Sequence, residues 1–202
     1  MLQNKIEMDN LKYYLLSICL VTEIVSFAQD GDTTDYYYQI PEYPEDYNAG
    51  TVAARLVDGL GFRYYWGTEG LMTEDLSYRP SEGARNVEET IDHILSLTQI
   101  LVNAVNEQPF EGVEMDGLSF EEKRDLTLEN IRQASEMLKN ANGEDLARYD
   151  MVFPSAEFPF WNLINGPIAD AINHVGQIIT FRRTNGNPIN QNISVLQGRV
   201  RG

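Results

Sequence analysis

The 202-residue chain contains two histidines, His93 and His174, and each falls inside a stretch of helical character. Asp170 stands four residues before His174. On a helix, residues at i and i+4 share one face, with Cβ atoms about 5–6 Å apart. A carboxylate and an imidazole at that spacing can grip one divalent ion, and His93 would supply a third ligand. Three protein ligands with an open position are what a catalytic divalent site needs, because the vacancy admits water or substrate. Gln177, beyond His174, and Glu89, one turn before His93, could each fix an imidazole from behind. The spacing alone also has a plainer reading, in which the histidines are hydrogen-bonded core residues and Asp170 caps or pairs locally.

Those residues need helices to carry them. The stretch Pro159 to Arg183 reads as one helix, with a kink or late start at Gly166-Pro167 and Asn185-Gly186 closing it. Arg182 and Arg183 suit the negative end of its dipole. His93 lies on a helix from Asn86 to Asn106, capped by Asn86, with an apolar face through Val87, Ile91, Ile94, Leu95, Leu101 and Val105. Between them a third helix, Ser119 to Asn140, opens on the capping box Ser119-x-x-Glu122, and its buried side is expected to include Leu126, Ile131, Ala134, Met137 and Leu138. The first helix, Thr51 to Thr68, shows a stripe of Val52, Leu56, Leu60 and Tyr64. Single helical turns are expected at Thr73–Leu76 and around Glu144–Tyr149. With no convincing strand pair, the expectation is an all-α four-helix bundle of one domain, residues 51–190. An extended or irregular leader, 29–50, precedes it and a tail, 191–202, follows.

Composition narrows the partners. A formal charge of −16 argues against nucleic acid, whose phosphates require clustered Lys and Arg, and against docking on anionic lipid. The expected partner is a small molecule, and a homodimer is compatible with the pattern. Residues 1–28 read as a signal peptide: Lys5 and Lys12, an apolar run from Tyr13 to Val25, and the small-x-small site Ser26-Phe27-Ala28 before Gln29. Glu7, Asp9 and Glu23 interrupt that pattern, and a start at Met8 gives a tidier one. Cleavage would leave no stable membrane span and would place the protein in the periplasm or cell envelope. It would also remove the single cysteine, Cys19, and with it any thiolate site, disulfide or thiol nucleophile.

The segments GFRYYWGTEGLMTEDLSYRPSEGARNVEETIDHI and FPFWNLINGPIADAINHVGQIITFRRTNGNPIN resemble the DinB-like superfamily of four-helix metalloproteins, over about Asn48 to Asn190. The resemblance implies a ligand at His93 in the second helix. It implies another at His174, the later member of a His-x-x-x-His pair that Gly176-Gln177 follows. The earlier histidine of that pair falls on Asp170, a departure that still leaves a competent ligand. Two imidazoles and a carboxylate form a set suited to Fe, Mn, Ni or Zn.

Activities in the superfamily are similar to thiol S-transferases or to metal-dependent hydrolases. An exported protein would not meet a cytosolic thiol pool, so the expectation here is hydrolase-like chemistry on a small molecule. The alternatives are a thiol S-transferase-like enzyme and a non-catalytic bundle with a degraded site. The aromatics Phe62, Tyr64, Tyr65, Trp66, Phe160 and Trp161 are candidates for lining a pocket or filling the core.

Overall fold

The computed structural model describes residues 33–201. The expected signal peptide lies outside the described residues. Four long helical segments form the body: α1 (Ala49–Thr68), α3 (Val87–Val105), α4 (Phe120–Lys139), and a composite fourth segment. The fourth segment comprises α6 (Phe160–Leu163), a π-helical stretch (Ile164–Ile168) and α7 (Ala169–Thr184). Single turns α2 (Thr73–Leu76) and α5 (Gly143–Leu146) stand in the connections, as the sequence suggests. Around the bundle, α1 packs on α4, α4 on α3, α3 on α7, and α7 back on α1. Among the described residues, no helix is long and apolar enough to cross a membrane.

Side-chain caps fix where the long helices begin. Asn48, Asn86 and Ser119 each accept a hydrogen bond from the backbone N–H three residues on, and the side chain at that position bonds back to the cap. Each box satisfies two backbone N–H groups that the first turn would otherwise leave without partners. The core is built from Ala54, Val57, Leu60, Phe62 and Tyr64 of α1, Ile91, Ile94 and Leu101 of α3, Ile131 and Leu138 of α4, and Ala171, Val175 and Ile178 of α7.

Several expectations change. Val52 and Leu56 of the first-helix stripe are exposed, because Gly50, Ala53, Ala54 and Val57 turn the small-residue side of α1 inward. Leu126 and Met137 of α4 are likewise exposed, and Lys123, Arg124, Thr127 and Ser135 occupy buried positions beside Ile131 and Leu138. These polar residues are satisfied inside: Thr127 Oγ1 donates to the Lys123 carbonyl, and Arg124 Nε donates to Thr68 Oγ1. Hydrophobic periodicity cannot see such partners.

The leader is not wholly irregular. Thr33–Tyr38 forms a 3-10 helix on α1 and α4, and Tyr37 is 1% exposed. Gly61 makes room for the Tyr37 ring, since a Cβ there would lie 2.5–2.6 Å from ring atoms. Two short antiparallel hairpins, absent from the sequence reading, pair Met151–Phe153 (β1) with Ala156–Phe158 (β2) and Ile193–Ser194 (β3) with Arg199–Val200 (β4). Strands of two or three residues are too short for an alternating pattern to stand out. The tail is thus partly ordered by β3–β4, whose turn presents Gly198 to Ile40.

Arg182 does more than suit the dipole of its own helix. It is buried and donates to the carbonyls of Gly67 and Glu69, so it caps the C-terminal end of α1.

Candidate metal centre

The fourth segment bends where the sequence suggests. Pro167 has no N–H to give, and Gly166 takes a non-helical conformation (φ −94°, ψ −107°) within the π turn. A π turn holds one residue more than an α turn, so it rotates everything after it about the helix axis. Ala171, Val175 and Ile178 then face the core, and Asp170, His174 and Gln177 form the adjoining row toward α3. On α3, the capping box at Asn86 sets the start of the helix, and His93 sits two turns in, beside the buried Ile94.

The three residues meet. His93 Nε2 lies 3.3 Å from Asp170 Oδ2, and His174 Nε2 lies 3.4 Å from Asp170 Oδ1. The two imidazoles stand edge to face with ring centroids 4.6 Å apart. One ligand atom from each residue falls within 4.8 Å of the others. Ligands about 2.1 Å from a tetrahedral ion sit about 3.4 Å from one another; the two nitrogen–oxygen contacts have that length but end on different oxygens of the Asp170 carboxylate. Taken one atom per residue, the set lies within 4.8 Å, so the side chains would draw together to close on one divalent ion.

The hydrogen-bond partners favour the form of histidine that ligates. His174 Nδ1 lies 2.8 Å from Gln177 Oε1. A carboxamide oxygen only accepts, so Nδ1 donates to it, which makes Nε2 the nitrogen through which the neutral ring would ligate. Burial holds the His93 imidazolium below its usual pKa; the positive charge of Arg85 and the neighbouring His174 push the same way, against the opposing pull of Asp170. A neutral imidazole is the ligating species. The site grades from closed to open: the side chain of His174 is 10% exposed and that of Asp170 is 43% exposed.

Gln177 stands where the sequence places it, behind His174. Glu89 does not reach His93. Its carboxylate accepts from the Asn86 backbone N–H at 2.9 Å and pairs with Arg79 at 2.8 Å. The signal for that role was in the sequence: Asn86-x-x-Glu89 has the same cap-and-reach spacing as Ser119-x-x-Glu122. Arg85 is the residue that the sequence reading missed. It sits one position before the helix cap, and no linear motif marks its effect on His93.

The aromatic candidates divide. Phe62, Tyr64, Tyr65 and Trp66 are buried in the bundle, whereas Trp161 is exposed and, with Phe160, lines a concavity away from the three ligands.

No protein-family model matches the chain, and no curated protein matches it. Among solved structures, the chain is similar to the crystal structure of a DinB-like protein, YjoA, from Bacillus subtilis, determined at 2.30 Å resolution. The identity is 16% and the TM-score 0.46, and the match covers 84% of this chain and 100% of that one.

Proposed function

We propose that this chain is a DinB-like divalent-metal protein that is exported to the periplasm or cell envelope and acts there as a metal-dependent hydrolase on a small molecule. The observation that carries the metal reading is the convergence of His93, Asp170 and His174, with Gln177 holding the His174 tautomer. A divalent ion in such a set supplies Lewis acidity, polarising a carbonyl or phosphoryl oxygen and making water a stronger acid. His93 and His174 would hold it through Nε2 and Asp170 through its carboxylate. The partial exposure of Asp170 leaves the outer side of the set open to solvent, which favours a reacting site over a sealed structural one. Export is supported by the charge and hydropathy pattern of residues 1–28. The hydrolase reading follows from that location, where a cytosolic thiol co-substrate is not at hand.

Protein purified without an affinity histidine tag, and reconstituted with Zn, Mn, Ni or Fe(II), is expected to retain one ion per chain after gel filtration. The His174→Ala variant is expected to retain none. Wild-type protein that holds no stoichiometric ion would sink the metal reading. Mass spectrometry of the protein from its native host tests export, for which a mature N-terminus at Gln29 is expected and an intact Met1 in the cytosol counts against it. A screen of ester, amide and phosphate model substrates tests hydrolysis. Turnover that requires an added thiol would instead favour a transferase.

A further inference from the structure

A second concavity, of about 900 Å³, lies between the start of α1, the residues around α5 and the junction of α6 with the π segment. None of His93, Asp170 and His174 lines it. Val52 and Leu56 form one wall and Trp161 and Ile164 another. Val52 is 57% exposed, Leu56 41% and Trp161 75%. Large apolar side chains gathered around a hollow gain from any apolar group that displaces the water there.

Size and charge limit the occupant. The volume lies within the roughly 300–1,000 Å³ typical of small-molecule pockets. A stable protein interface buries about 800 Å² per partner, and this hollow offers much less apolar surface than that. The chain as a whole carries −16, yet the charged residues of the lining are one cation, Arg55, and one anion, Asp150. Arg55 is already engaged: Nη1 donates to the Pro41 carbonyl at 2.7 Å, and the guanidinium lies over the Tyr43 ring at 4.6 Å. With one charge of each sign in an otherwise apolar lining, neither an anion nor a cation finds a set of matching partners there.

We propose that this groove is a binding site for a neutral, largely apolar small molecule of the class of long-chain alcohols and fused-ring hydrophobes. The inference does not rest on the metal reading, because the two sites share no residue.

Trp161 provides a built-in reporter, since the other tryptophan, Trp66, is buried at 8% exposure. Titration of the full chain with the neutral fluorophore N-phenyl-1-naphthylamine is expected to give a saturable rise in probe emission at one site per chain, with quenching of tryptophan emission. Trp161→Phe should remove most of the quenching and keep the probe rise. Leu56→Asp, at an exposed position where circular dichroism should stay unchanged, should weaken binding about tenfold or more. 1-Dodecanol should displace the probe at lower concentration than dodecanoate or dodecylammonium, and EDTA should leave binding unchanged. The proposal is overturned by non-saturating binding, by equal affinity in Leu56→Asp, or by preferential displacement by a charged amphiphile. It is also overturned by a sedimenting dimer that Leu56→Asp dissociates, which would give the groove to a second copy of the chain.

Discussion

Two sides of the bundle hold a carboxylate among polar neighbours, and they treat it in opposite ways. On the α1–α4 side, Asp58 is 1% exposed and surrounded by donors. Ser135 Oγ donates to it at 2.6 Å and Tyr37 Oη at 3.2 Å, and Lys139 Nζ lies 3.2 Å away. A buried charge survives only when its lone pairs are matched, and here they are. On the α3–α7 side, Asp170 is far more exposed and faces two imidazole nitrogens. The opposite ring nitrogen of His174 donates to Gln177, which makes Nε2 the ligating atom of the neutral ring. Asp58 is an anion whose cation and protons are in place. Asp170 and its neighbours are a donor set that a cation completes. The first arrangement ties the segment Thr33–Tyr38 to the bundle, and the second has room for chemistry.

The contrast can be broken first at Asp58. Asp58→Ala strands Lys139, Ser135 and Tyr37 and is expected to destabilise the fold by about 3 kcal/mol in urea unfolding, with metal content unchanged. A change below about 0.5 kcal/mol would show that the donors find other partners.

Asp170 should behave in the reverse sense. Asp170→Ala is expected to weaken metal binding about 100-fold by calorimetry, since one of three ligands is lost, and to leave the unfolding midpoint of the metal-free protein unchanged. Asp170→His, which restores the two-histidine spacing on one helix face, should keep stoichiometric metal. If Asp170→Ala binds metal as tightly as wild type, the carboxylate is not a ligand.

Gln177→Ala is expected to weaken metal binding about tenfold by releasing the His174 tautomer, with Gln177→Glu restoring it. No change in affinity would reduce Gln177 to a surface residue.

A third carboxylate sharpens the comparison through pH. Burial of Asp75 works to raise its pKa, but hydrogen bonds from Asn187, Asn185 and the Met72 N–H, with the charge of Arg182, outweigh it and hold the group below its ordinary value. Because the folded pKa lies below the unfolded one, its contribution is present above the unfolded value, about 3.9, and is lost as pH falls through the folded pKa. Asp75→Asn should therefore flatten the acid limb of stability against pH. An unchanged limb would mean that the loop cluster adds nothing.

The smallest expected effect is at Glu89. Its carboxylate is spent on the helix cap and Arg79, so Glu89→Gln should leave metal affinity unchanged. A tenfold loss would return Glu89 to the neighbourhood of His93.

The helices and their starts were largely legible in the sequence because caps and apolar faces are local. Asn86 and Ser119 announce α3 and α4, and Gly166-Pro167 announces the bend in the fourth segment. Buried polar residues were not legible. Lys123, Arg124 and Ser135 look like a solvent face until their partners on other helices are known, and Leu126 and Met137 look like core for the same reason. Tyrosines of the leader could be expected to pack on the domain, but that Tyr37 is the anchor was not legible, because its cavity is made by Gly61, 24 positions later in the chain.

The sequence by itself determined which residues could ligate. Two histidines, and an aspartate one helical turn from the second, leave few combinations. Only the tertiary structure decided that they meet. His93 and Asp170 are 77 positions apart, and their distance depends on how α3 and α7 pack and on the extra residue in the π turn. Residue types set the chemistry within reach, whereas helix rotation, fixed by the burial of Ala171, Val175 and Ile178, set whether a ligand row faced its partner or water.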